Sequence, residues 1–346
     1  MRVLLYPFYS QQDKRTGKFL LASDSGFRAY SYIGRQMLAE GWEPVMLVPP
    51  AEQCADCPFL PYRIVQFPYE LCSDNLLRRL QWNPDWLAGL DYDLVLTTHE
   101  FIAYPLRCLK PGLRIVMECG IRPSTAWPET AALFPLARVA ADAVHFNSQL
   151  LADECEHSRR KFVWPFGYEE RPHKVCKRTI DVVFPARTSS TEYSNHRLFV
   201  LALGGTDLAV VMTDPTSYLR SNPGKAPDGW VPPHPLLRAD YDDLLDGSKV
   251  VVGLTANGYG GYAFQEAVAA GCCPVALRCP EYEELLGADW PYLCSSNPYS
   301  LRAAVLAALA HGWPRQFEER VHTKIKGNSY GAAWDRTSRD LKELMQ

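Results

Sequence analysis

One stretch constrains the fold of this chain more than any other: VVVGLTANGYGGYAFQEAVAAGCCPVAL, from Val250 to Leu277. It reads as a buried strand over Val250–Leu254, a glycine-rich turn over Asn257–Gly261, a short helix over Tyr262–Ala270 and a second buried strand over Pro274–Leu277. That is one βαβ unit whose glycine turn feeds a helix N-terminus. Such a corner presents backbone N–H groups and the positive end of a helix dipole, so an anionic group, phosphate first, is its natural ligand. Glu266 is the single acid in an otherwise small and apolar helix. Buried there, its carboxylate needs a ligand hydroxyl or a backbone donor. The alternative is that this face of the helix is solvated.

At 346 residues the chain is too long for one ordinary core and suits two domains of roughly 150 to 180 residues, with a cleft between them. No apolar run approaches the roughly 20 residues that a membrane span needs. The N-terminus MRVLLYPFYS has a single basic residue and an apolar run that stops at Pro7, so it reads as a first core strand rather than a secretory signal. The formal net charge is −3 with both signs interspersed, which gives no support for broad electrostatic binding of nucleic acid. The 11 cysteines have no repeating spacing and fit reduced thiols in a cytoplasmic protein. Cys54 and Cys57 form a CxxC with no matching second pair, so a zinc site is not expected.

The same alternation runs through the chain. Strand Val3–Pro7, a polar loop, a helix over Gly26–Glu40 with Phe27, Tyr30, Ile33, Met37 and Leu38 as apolar positions, Gly41 as its cap and strand Val45–Val48 form the first βαβ unit. Residues 49–86 are rich in proline and aromatics and resist placement beyond a helix near Ser73–Leu80. Strand Asp93–Thr97 ends in Thr98, His99 and Glu100, and strand Leu113–Met117 ends in Glu118, Cys119 and Gly120. Carboxyl ends of strands are where α/β proteins build their sites. A helix near Pro128–Ala141, strand Ala143–Phe146 with Asn147 and Ser148 at its end, helix Gln149–Ser158 and strand Lys161–Trp164 complete the first half.

The charged stretch Glu169–Arg178 reads as a linker. Beyond it come strand Ile180–Phe184, helix Asn195–Leu203, strand Leu208–Met212, a long proline- and glycine-rich loop over 213–235 and helix Leu236–Leu245, then the opening stretch. Loops of that length are usually functional or mobile. Helices over Glu281–Leu286, Ser300–His311 and Ser329–Met345 close the chain. The expected divisions are 1–170, 171–328 and a terminal helix, 329–346.

With these elements in order, the chain resembles the GT-B glycosyltransferases, and within them the retaining group called family 4. The stretch GYGGYAFQEAVAAGCCPVA is the most specific part of the likeness; DYDLVLTTHE, HFNSQLLADE, KFVWPFGYEE and VVFPARTSS support it. The resemblance implies an α/β fold of two Rossmann-like domains facing across a cleft, with the last helix crossing back to the first domain through Trp334 and Leu341. It implies that Glu266 bonds the donor ribose, that Gly260, Gly261, Tyr262 and Ala263 offer N–H groups to the diphosphate, and that Arg187 neutralises it. A lysine usually follows this arginine in the family; His196 and Arg197 are the nearby cations here. Gly258 stands where the family carries a carboxylate that meets the sugar, a departure from its pattern.

Transfer of this kind proceeds without a protein nucleophile, and the departing phosphate accepts the proton on the face that the acceptor attacks. Positioning and charge stabilisation then carry the rate, with no metal and no cofactor beyond the nucleotide-sugar itself. Asp91 and Asp93 form a DxD, but at the start of a buried strand, where local pairing is expected. In the first domain Ser25 and Gly26 are placed to approach the diphosphate or acceptor, and Glu118, then His99 and Glu100, are the candidates for meeting the sugar or orienting the acceptor hydroxyl. UDP-glucose is the favoured donor. The acceptor is a sugar, glycan or lipid-linked glycan, or a hydroxymethylated pyrimidine in DNA, as in phage enzymes of this fold, which would place the protein in a host cytoplasm. Lys14, Arg15 and Lys18, or Arg159, Arg160 and Lys161, are the cations that a DNA acceptor would use. A nucleotide-sugar-binding protein without turnover and a sugar-nucleotide epimerase are the competing readings.

Overall fold

The computed structural model describes residues 1–7, 16–56, 59–66, 84–98, 102–119, 134–155, 158–185, 195–215, 217–255 and 261–346. It divides into two compact units. One holds β1 (Arg2–Tyr6), Gly17–Trp164 and Trp334–Gln346; the other holds Pro165–Ala333. The helix expected at Ser73–Leu80 lies outside the described residues.

In the first unit, β1 is followed by β2 (Phe19–Leu20), β3 (Glu43–Val48), β4 (Cys54–Asp56), β5 (Arg63–Gln66), β6 (Leu94–Thr97), β7 (Arg114–Cys119), β8 (Ala143–Phe146) and β9 (Lys161–Val163). Seven of these pair in parallel in the order β5-β3-β1-β6-β7-β8-β9, while β2 and β4 form a separate parallel pair. The central strands are continuous apolar runs because helices cover both faces, and Val3 to Tyr6 and Leu94 to Thr97 are all buried. The first helix, Ser25–Ala39, buries Phe27, Tyr30, Ile33 and Met37 as its spacing requires, whereas Leu38 turns outward at 40% exposure. Gly41 closes the helix with φ +80, a backbone conformation that side chains resist, and donates its N–H to Leu38 O.

The strands of the second unit are β10 (Ile180–Phe184), β11 (Val210–Met212), β12 (Ser248–Gly253), β13 (Cys273–Leu277) and β14 (Leu293–Cys294). They form a five-stranded parallel sheet in the order β11-β10-β12-β13-β14. The helix Arg315–Gly327 had no expected counterpart. It is rich in charge and fully buries only Val321 and Ile325, too few apolar positions to mark it in the sequence. The 213–235 loop is pinned rather than loose. Met212 N–H donates to Trp230 O at 2.8 Å, and the buried Asp214 carboxylate accepts the Leu219 and Arg220 amides at 3.0 and 3.1 Å.

The stretch read as a linker is also anchored, at Arg171–Lys174 and at Arg178. Arg171 forks onto both oxygens of Asp246 at 2.9 Å, and Arg178 donates to Ala270 O at 2.7 Å. At the other end, the helix Tyr330–Met345 starts in the second unit and continues into the first. There Ser338 Oγ donates to Glu40 at 2.9 Å, Lys342 Nζ pairs with Glu40 at 2.7 Å, and the indole N–H of the buried Trp164 donates to Asp340 at 2.8 Å. Trp334 and Leu341 are buried, as the apolar return of this helix requires.

Trp164 therefore carries two loads, a buried indole and a bond to the terminal helix. Trp164→Ala is expected to destabilise the protein by about 3–5 kcal/mol, measured by urea unfolding followed by far-ultraviolet circular dichroism. A loss below about 1 kcal/mol would contradict the packing described.

Candidate functional site

In a parallel sheet ligands bind where the strand order reverses, outside the carboxyl ends of the strands. In the second unit that point lies between the neighbours β10 and β12, since β10 leads outward to β11 and β12 leads the other way to β13. Beyond these two strands Asn195 Nδ2 donates to Leu254 O at 2.9 Å. The chain after β12 then enters the helix Tyr262–Ala269 through Gly261, whose φ of +73 a side chain would strain. Gln265 N–H bonds Gly261 O at 3.2 Å, so the amides of Tyr262, Ala263 and Phe264 precede the first intrahelical bond.

Close packing fixes this corner. A Cβ on Gly253, the last residue of β12, would stand 2.6 Å from the Tyr282 hydroxyl and 2.8 Å from the Phe264 ring. Tyr282 is fully buried, and its hydroxyl accepts the Thr255 N–H at 3.3 Å. Glu266 lies one turn into the helix and is only 7% exposed, so the solvated alternative for this side chain is overturned. Its Oε1 accepts from Arg238 Nη1 at 2.9 Å, a partner that sequence reasoning missed. Arg238 opens the helix Arg238–Asp246, 28 residues before Glu266, and nothing in its local pattern marks it.

The remaining expected residues are placed unevenly. Gly261, Tyr262 and Ala263 share the helix start with Glu266 and are half-buried, while Arg197 is exposed on the helix His196–Leu203. Arg187, Gly258 and Gly260 lie outside the described residues, as do His99 and Glu100. Ser25 and Gly26 open the helix Ser25–Ala39, but the buried Asp24 caps it, its carboxylate accepting the Phe27 N–H at 3.1 Å. That negative charge already complements the helix dipole, so this end suits a neutral hydroxyl better than a diphosphate. Asp93 accepts the Arg2 N–H at 2.9 Å and Asp91 pairs with the Arg2 guanidinium, the local pairing expected of the DxD. Among the described residues no group of three or more His, Cys, Asp or Glu is arranged to hold a metal ion.

The first unit carries a second polar cluster. Parallel pairing of β7 with β8 sets Glu118 beside His145, and Asn147 follows two residues later on the same face. Asn147 Nδ2 donates to Glu118 Oε1 at 2.6 Å, and His145 Nε2 stands 3.7 Å from Glu118 Oε2. Trp164 stacks on the His145 ring with centroids 4.8 Å apart. Burial pushes the Glu118 carboxyl up to about 7 against the pull of the Asn147 bond, and burial takes His145 down to about 3. Burial, and then the nearness of Glu118, also raise the Tyr30 phenol. Among the described residues the Tyr30 hydroxyl, His145 Nδ1 and Asn147 Oδ1 are buried without a hydrogen-bond partner. A carboxyl that is half protonated near neutral pH can donate to or accept from a ligand hydroxyl. Glu118 and Asn147 were each legible as polar strand ends; their meeting with one another and with His145 depends on sheet register, and that with Tyr30 on helix packing.

The Glu118 titration has a definite sign. An acid whose folded value lies above its ordinary 4.5 binds more protons in the folded state, so stability falls as pH rises from about 4.5 and levels off above about 7. Glu118→Gln removes that slope. Between about pH 4 and pH 8 the variant should gain about 3 kcal/mol on the wild type, measured by denaturant titration at each pH. A constant difference would show that Glu118 ionises as an exposed carboxylate does.

No family model and no curated protein matches the chain. Solved structures do. A glycosyltransferase from Rickettsia africae ESF-5 is similar at a TM-score of 0.66 and 12% identity, covering 100% of this chain and 98% of that one. The Anabaena protein HepE, solved in complex with UDP-glucose, is similar at 0.64 and 14% identity, covering 99% and 100%. Arabidopsis thaliana UGT89C1, solved with UDP-L-rhamnose, is similar at 0.58 and 14% identity, covering 99% and 98%. At these identities the likeness shows the fold: two Rossmann-like α/β units of the GT-B kind.

Proposed function

We propose that the chain is a glycosyltransferase that moves a hexose from a nucleotide-diphosphate sugar, UDP-glucose in the first place, to an acceptor hydroxyl with retention at the anomeric carbon. The observation that carries this reading is Glu266, a buried acid one turn inside the helix that Gly261 opens at the switch point of the second sheet. Helix amides suit a diphosphate, and a carboxylate one turn below them suits the ribose hydroxyls. Arg187 follows β10, the other strand of the switch point, and in this reading neutralises the leaving group. Two of the similar structures hold UDP-sugars, which supports UDP as the first nucleotide to try.

In the proposed step the bond from the anomeric carbon to the phosphate oxygen breaks. The acceptor oxygen bonds the same face, and its proton passes to the departing phosphate. The protein's part is charge stabilisation by the guanidinium and the helix amides, with no call on a metal ion. Glu118, set by Asn147, meets a hydroxyl of the sugar or the acceptor. Gly258, in place of an expected carboxylate, favours one second reading, donor binding without turnover.

The test is nucleoside-diphosphate release and binding, across UDP- and GDP-sugars, with glycan, lipid-linked and hydroxymethylated-DNA acceptors in separate arms. Release that depends on one acceptor, with retained configuration in the product, is the expected result. Glu266→Ala and Arg187→Ala should each weaken donor binding at least about tenfold, or ~1.4 kcal/mol. Tight binding without release would establish the second reading, epimerised sugar-nucleotide would point to isomerase chemistry, and no binding of any donor would overturn the proposal.

A further inference from the structure

The Glu266 carboxylate is the last link of a charged chain that runs through the second unit. Arg238 Nη1 donates to Glu266 Oε1 at 2.9 Å, while the other side of the same guanidinium faces Asp242, Nε donating to Oδ2 at 3.2 Å and Nη2 lying 2.9 Å from Oδ1. Asp242 in turn lies 3.1 Å from Arg171 Nε. Arg171 forks onto Asp246, which also accepts the Lys174 N–H at 3.0 Å and meets His173 Nδ1 at 3.2 Å. Burial alone would push Asp246 up; the Arg171 fork and the Lys174 amide bring it down to about 2. Side-chain exposure rises from 1% at Asp246 through 17% at Arg171 and 20% at Asp242 to 31% at Arg238, then falls to 7% at Glu266. The guanidinium also lies over the Tyr241 ring, 5.3 Å from its centroid.

This arrangement does more than neutralise a buried acid, a task that one point charge performs. A planar guanidinium hydrogen-bonded to Asp242 through Nε and ion-paired with it along the same edge has a restricted direction for its remaining N–H groups. The Glu266 carboxylate is thereby given a fixed orientation. We infer that Arg238 is the positioning residue of the donor site: locked by Asp242 and Arg171, it sets the Glu266 carboxylate for the ribose hydroxyls of a nucleoside diphosphate. The inference rests on the donor-site reading above and adds a residue that does not itself touch the sugar or the reacting atoms.

A residue that acts only through Glu266 has a signature that a general packing role lacks. The experiment is a double-mutant cycle with Arg238→Ala and Glu266→Gln, read by isothermal titration with UDP and by steady-state kinetics with UDP-glucose; Arg238→Lys is the second variant should alanine impair folding. Arg238→Ala should raise the UDP dissociation constant about tenfold, with KM rising in step and kcat within about threefold of the wild type. Arg238→Lys should fall between, since an ammonium grips one carboxylate at a time. The double variant should bind no more weakly than Glu266→Gln alone. UDP affinity within about twofold of the wild type in both Arg238 variants, or additive losses in the cycle, would overturn the inference while leaving the donor site in place. A wild type that binds no nucleoside diphosphate would overturn the donor-site reading itself.

Discussion

A carboxylate cannot be left alone inside an apolar helix, and the second unit is organised around that constraint. Glu266 lies among Phe264, Ala267 and Val268, all buried, on a helix pressed so closely against β12 that Gly253 has no room for a Cβ. Stranding a charge there costs several kcal/mol. Arg238 supplies the counter-charge, and the acids that hold Arg238 draw in Arg171 and the segment around it. The excess of charge near residue 171 thus has a structural purpose, since these side chains are the far end of the support for Glu266.

The two units handle a buried glutamate differently. Glu266 is answered by a guanidinium; Glu118 is answered by an amide and a neutral imidazole, neither of which brings a charge. The first arrangement sets a positive partner on the carboxylate. The second leaves a carboxyl that can donate or accept near neutrality, with Tyr30 and Asn147 still holding unmatched polar atoms beside it. Parallel topology explains why both stand near carboxyl ends of strands, since every strand of one sheet points its end to the same edge.

Much of this was legible in the sequence. Continuous apolar runs gave the central strands to within about two residues, because strands covered on both faces leave few polar positions to blur them. The helix at Gly26–Glu40 was marked by its period and by Gly41, and the corner at Gly261 and Glu266 by a lone acid among small residues. What escaped had physical causes. Helix Arg315–Gly327 hides two buried residues among charges, and the short strand β5 lies at a sheet edge within a proline- and aromatic-rich stretch. Arg238, His145 and Asn147 reach their partners through tertiary register, which no local window contains. At Ser25 and Gly26 the helix start was legible, but the Asp24 cap just before it was not.

We place the proposed nucleoside diphosphate at the edge where β10 and β12 part, with the helix from Tyr262 at its phosphates and Glu266 at its ribose. The deciding measurement is a crystal structure of the wild-type protein with UDP-glucose. The expected result is density for the diphosphate within hydrogen-bond distance of the Tyr262 and Ala263 amides and a ribose hydroxyl on Glu266, with the Arg238 bond to Glu266 intact. Nucleotide bound elsewhere, or bound at this edge with Glu266 turned away from the ribose, would contradict the account.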